Sequence, residues 1–216
     1  MARLFRNGTP SGVCPPLNIL PANQCCMIRV FLEKARGFLA DPTATFRNAR
    51  DDGPGIVLPY LLALALVFAF FSALVSALMP MAGPLPAPGM VGIPLPLAVF
   101  IIAGIGVFAG SIVFGVWLHF WVAVLGGRKG IFMTAKAVVY GGTPEFLFGW
   151  IPVIGFLFTL WSLYLAVVGL NELQEISMAR AILAVFIAVM LPLIILILVA
   201  SYFFIASVTT SALPVP

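Results

Sequence analysis

Apolar residues fall along this chain in long runs, separated by short polar or proline-rich stretches. From Ile56 to Met79 there are 24 residues without a charge. Further runs extend from about Leu97 to Leu125, Ile131 to Gly149, Val153 to Leu170 and Arg180 to Ala206. A helix of about 18 to 25 apolar residues crosses a hydrocarbon core roughly 30 Å thick. The pattern therefore predicts an all-α integral membrane protein, a bundle of five transmembrane helices over residues 56–207 with a short tail at 208–216.

The stretch before the first run has another texture. Residues 1–26 show no helical or strand period and no apolar centre of a signal peptide, so they read as a disordered extension. Met27 then stands where a natural start would; the alternative use of the extension is acylation at Cys25-Cys26. Residues 27–55 form a cytosolic amphipathic segment: Ile28, Val30, Phe31, Ala35, Phe38 and Leu39 share one helical face, and Arg29, Glu33, Lys34 and Arg36 mostly the other. Such a helix either lies in the membrane interface or packs on the end of the bundle. Asp41-Pro42 stops it and starts a second short helix to Arg50, and Gly53-Pro54-Gly55 leads into the membrane.

Interruptions inside the apolar part carry information too. Residues 80–96 contain six prolines and three glycines, which rules out a regular helix and predicts an apolar loop. The second run carries Gly106-x-x-x-Gly110 and Ser111-x-x-x-Gly115, the small-residue spacing that lets another helix approach closely. The expected neighbour lies in the same chain, a second copy being the alternative. Trp117, Phe120 and Trp121 close that run as an interfacial belt, with His119 among them. Lys136 sits shallow in the third run and is expected to snorkel to the headgroups. Gly141-Gly142-Thr143-Pro144-Glu145 interrupts the same run as a kink, with Glu145 expected at the outer interface. Pro192 kinks the last run.

Composition sharpens the class. Hydrophobic residues make up 62% of the 216 and charged residues only 8%, against about 25% charged in soluble domains. That excludes a soluble enzyme, a disordered chain and an ordinary nucleic-acid-binding domain. The formal charge of +4 comes from basic residues flanking apolar runs. Seven lie in 1–55, three in 126–140 and one at Arg180, so with five spans all eleven fall on one side. The positive-inside bias then predicts a plasma-membrane protein with the N-terminus cytoplasmic and the C-terminus outside. One histidine and three cysteines confined to the first 26 residues offer no metal or cofactor site. His-Glu-x-x-His and Gly-x-Ser-x-Gly are absent, so no catalytic residue is assigned.

The order of elements resembles one family. It runs through Asp41-Pro42 with Phe46, Gly126-Gly127 with Thr134, Tyr140 and Pro144, then Ile151-Pro152, Trp161, Tyr164, Gly169-Leu170, Glu172 and Ala181. Over about residues 37–206 this is similar to the Yip (Ypt-interacting protein) family, in its short prokaryotic form. Pro42, Phe46, Gly126, Gly127, Tyr140, Pro144, Pro152, Trp161 and Gly169 are the matching motif positions. The resemblance implies a five-helix membrane bundle without established chemistry. Eukaryotic members carry Asp-Leu-Tyr-Gly-Pro where this chain has Asp51-Asp52-Gly53-Pro54, and a long cytosolic domain that is missing here. Their binding of prenylated Rab GTPases therefore transfers poorly.

Two functions remain. The first is a non-catalytic membrane adaptor that organises protein partners or lipids. Its surface would be the segment to Arg50, the Arg128-Lys129 turn and the connector from Asn171 to Arg180, with Asp51, Asp52, Glu172 and Glu175 free to specify a partner. The packing glycines would be Gly106, Gly110 and Gly115. The second is a small-solute transporter or channel using Lys136, Glu145 and the broken stretch between them.

Overall fold

The computed structural model describes residues 22–79 and 94–212, with side chains over 29–79 and 94–205. Most of the predicted loop at 80–96, nearly all of the N-terminal extension and the last four residues lie outside the described residues. Every element within them is helical: α1 Ala22–Ala40, α2 Pro42–Asn48, α3 Pro54–Leu78, α4 Leu95–Val124, α5 Ile131–Gly141, α6 Thr143–Phe148, α7 Gly155–Gln174 and α8 Met178–Ala212, with one 3-10 turn at Ala49–Asp51. Four of these helices, α3, α4, α7 and α8, are long and apolar enough to cross a membrane. The third predicted span is two short helices, of 11 and 6 residues, divided at Gly142.

Local chemistry accounts for the boundaries. The Asp41 carboxylate accepts the Ala44 N–H at 3.1 Å and Pro42 opens α2, a normal side-chain cap and first-turn proline. The predicted connector from Asn171 to Arg180 is much shorter in the fold. The last turn of α7 absorbs residues 171–174, and Glu175 ends it in the left-handed region at φ 55°. Asn171 Nδ2 donates to Ile176 O at 2.7 Å and secures that stop. The last helix also runs further than predicted, to Ala212.

One core joins the N-terminal helices to the bundle. Phe38, fully buried, stacks on Tyr140 with ring centroids 4.8 Å apart and tilts against Phe46 at 4.9 Å. Phe31 meets Tyr60 at 5.2 Å. Of the two placements open to the amphipathic segment, the fold takes packing on the bundle, where Phe38 is enclosed between the Phe46 and Tyr140 rings and Phe31 rests on Tyr60.

The packing glycines differ from those predicted. A Cβ at Gly106 or Gly110 would meet nothing within 4 Å, so among the described residues neither mediates a close approach. Gly115 does contact α5, at Ala135 Cα, 3.6 Å. The tight contacts lie elsewhere: a Cβ at Gly141 would sit 2.9 Å from the Ala166 backbone nitrogen, and one at Gly169 would sit 2.7 Å from the Phe46 ring. The helix turns Gly106 and Gly110 toward an opening, whereas Ser111 and Gly115 are buried.

Candidate functional site

Two places combine polar chemistry with order. The first is a charged lattice where α1, α2, the 3-10 turn, the α4–α5 turn and the end of α7 converge. Arg47 of α2 and Arg50 of the 3-10 turn stand three residues apart, as do Glu172 in the last turn of α7 and Glu175 just past its end. Arg47 grips Glu172 with two bonds, Nε to Oε2 at 3.0 Å and Nη2 to Oε1 at 3.1 Å. Arg50 pairs with Glu175 at 2.9 Å and donates to the Glu172 carbonyl at 2.5 Å. Lys129 completes the lattice against Glu175 at 2.7 Å.

Beneath the lattice the groups are buried. Asp52 Oδ2 accepts from Lys34 Nζ and from Tyr140 Oη, each at 2.5 Å, and so ties α1 to α5. Lys136 is 1% exposed, and its Nζ donates to Arg50 O at 2.5 Å and Ala49 O at 3.4 Å. The expected snorkelling to headgroups is overturned. The α5 face bearing Lys136 is covered by the 3-10 turn, whose carbonyls at the turn's end offer acceptors closer than water. Tyr60 Oη shares a 3.0 Å hydrogen bond with Thr143 Oγ1, which donates to Tyr140 O at 2.7 Å.

The α4–α5 turn is held by Gln174. Its side chain accepts the Lys129 N–H at 3.0 Å and donates to Gly130 O at 2.8 Å and Thr134 Oγ1 at 2.9 Å. Thr134 in turn meets His119 Nδ1 at 2.9 Å. Glycine is needed in this turn, since Gly126 and Gly130 have φ of 99° and 90°.

The predicted surface residues thus divide. Glu172 and Glu175 are not free acids, because the two arginines of α2 and the turn match their spacing. Lys129 joins them. Arg128 and Arg180 are exposed and make no ion pair among the described residues. Of the motif positions, Phe46 and Tyr140 are fully buried, Pro144 is buried in the first turn of α6, and Gly169 carries the Phe46 ring. Pro152 is exposed and Trp161 half-exposed. Asp52, expected as a free acid, is instead taken up by Lys34 and Tyr140; Lys34, Arg47, Arg50 and Gln174 are not singled out by the sequence as site residues. The shared i, i+3 spacing of 47/50 and 172/175 is the signal that could have found part of the set.

Hydrogen bonding by Lys129, and then its charge and that of Arg50, hold the Glu175 carboxyl below its ordinary range. A carboxylate whose pKa falls on folding adds stability above its unfolded value and loses it as pH drops through the folded value. Glu175→Gln is therefore expected to lower the melting temperature in detergent at about pH 7, with the gap closing towards about pH 3. A gap unchanged between those pH values would show that Glu175 contributes through packing alone.

The second place is a crevice of about 390 Å³ between α3, α4, the α5–α6 break and α7. Phe68, Phe114, Phe146, the exposed glycines Gly106 and Gly110, and Glu145 line it. Among the described residues no three His, Cys, Asp or Glu side chains gather in either place.

A family model described as the Yip1 domain matches residues 36–201, well over half of the chain. That range includes the whole lattice and the crevice, leaving out only Lys34 of the groups beneath them. No curated protein and no solved structure matches. With its long apolar helices and this match, the chain belongs to the Yip1 domain family of membrane proteins.

Proposed function

We propose that the chain is a five-span protein of the plasma membrane that acts without catalysis, as an adaptor organising protein partners or lipids on the cytoplasmic side. The broken pair α5–α6 runs from Ile131 to Phe148, about 27 Å at helical rise, which supports counting it as the span between α4 and α7. The N-terminal helices, the α4–α5 turn and the α7–α8 turn then share the side that holds all eleven basic residues, and that asymmetry supports a cytoplasmic N-terminus and an outside C-terminus.

The observation that carries the adaptor reading is the lattice itself. Five charged side chains fix α2, the 3-10 turn and the α4–α5 turn to the end of α7, so the surface around them is preorganised. A partner meeting such a surface loses less freedom on binding than one that must order it. Arg128 and Arg180 remain exposed beside it.

Topology is tested by single cysteines in a background with Cys14, Cys25 and Cys26 replaced. Positions 128 and 175 are expected to label only from the cytoplasm and position 87 only from outside; 87 and 128 on one side would end the five-span reading. The role is tested with photo-crosslinkers at positions 128 and 180 in intact cells. The same discrete protein or lipid adduct is expected from both, and is expected to disappear on Arg47→Glu, which uncouples α2. Random adducts at both positions, together with solute flux in proteoliposomes of the pure chain, would replace the adaptor by a transporter.

A further inference from the structure

The crevice beside the α5–α6 break has chemistry that the lattice does not use, and it is independent of the adaptor reading. Its volume, about 390 Å³, lies in the range of small-molecule sites, and its walls are mostly apolar and aromatic. One ionisable group, Glu145, lines it. In the five-span reading proposed above Glu145 falls within the third span, and ionisable side chains there are costly and usually have a definite partner.

No cation of the described chain serves as that partner. None of the ion pairs among the described residues includes Glu145. Lys136, the basic residue nearest in sequence, is held by the Ala49 and Arg50 carbonyls. The backbone N–H of Glu145 is satisfied by Ser162 Oγ at 3.0 Å. The site therefore offers a carboxyl beside Phe68, Phe114 and Phe146, a combination that suits an ammonium, by charge with the carboxylate and through the quadrupole of any ring that presents its face. The wall at Gly106 and Gly110 is open, with space where side chains would stand.

We propose that this crevice binds a hydrophobic amine, an amphiphile with a cationic amino head and an apolar tail, with Glu145 as the counter-ion. The tail fills the apolar walls and the head supplies the charge that the chain itself leaves out. A purely apolar occupant, such as a lipid acyl chain, would match the walls but leave the carboxyl without a cation.

The test uses the full chain in lipid nanodiscs with two photoreactive probes, dodecylamine and dodecanol carrying the same diazirine along the chain. The amine is expected to label the crevice wall, at Phe114 and Phe146, about tenfold more than the alcohol, and unlabelled dodecylamine is expected to compete. Glu145→Gln is expected to abolish the preference while alcohol labelling persists. Gly110→Leu, which places a side chain in the open space without touching the carboxyl, is expected to lower labelling by both probes. Equal labelling by amine and alcohol, or a preference that survives Glu145→Gln, would overturn the proposal. Melting temperatures of both variants are read alongside, and the Gly110→Leu result decides the matter if Glu145→Gln does not fold.

Discussion

Replacing Asp52 by alanine is expected to destabilise the protein by about 3 kcal/mol, the lower end of what removing one member of a buried ion pair costs. Asp52 and Lys34 are only 11% and 17% exposed in their side chains, so solvent screens the pair weakly. The same carboxylate oxygen also accepts from Tyr140, and its loss leaves a cation and a phenol without their acceptor in a closed environment. Because these bonds bridge α1, the 3-10 turn and α5, α1 is expected to become the first segment to exchange its amide protons. The check is a double-mutant cycle. If the pair is the cause, Lys34→Met should recover much of the loss, since a matched apolar replacement removes the unpaired charge. A change under about 0.5 kcal/mol for Asp52→Ala would mean that water reaches the site freely.

Gly141→Leu is expected to cost about as much or more. Its Cβ would lie 2.9 Å from the Ala166 nitrogen and 3.0 Å from Ala166 Cα, so the obstacle is backbone and no rotamer change relieves it. Overpacking a fitted contact typically costs about 1–3 kcal/mol, and rigid neighbours put this site at the upper end. Parting α5 from α7 would also disturb Gly169, which sits about one turn along the same seam against Ala137 and the Phe46 ring. Gly110→Ala is the matched control. Nothing lies within 4 Å of its Cβ, and alanine favours helix by about 1 kcal/mol over glycine, so thermal stability in detergent should hold or rise. Equal losses at positions 110 and 141 would place a second helix against α4 and revive the close approach first expected there.

The contrast between these two glycines marks where reading the sequence stops. Long apolar runs located α3, α4 and α7 to within a few residues at most ends, because spanning a bilayer depends on the composition of one segment alone. The cap at Asp41, the first-turn Pro42 and the break at Gly141–Glu145 were legible for the same reason: proline, glycine and a capping carboxylate act on their own neighbourhood. The amphipathic stripe on α1 was visible as well, although it did not say which surface would cover it.

Contacts between segments obey another rule. Arg47 finds Glu172 across 125 positions of chain, and only the fold puts them together, although their matching spacing hinted at it. Lys136 turns inward because the 3-10 turn lies over it, a fact that no window around residue 136 contains. Which glycines touch a neighbour depends on how each helix is rotated about its axis. In a soluble helix the polar face announces that rotation, but lipid is as apolar as the bundle interior and the contrast vanishes. The sequence by itself therefore determined the class, the helical segments and their breaks, through local composition. Only the tertiary structure decided the rotation and pairing of the helices, and with them the charged lattice and the crevice at Glu145, because close packing and hydrogen-bond geometry act between segments that local composition cannot relate.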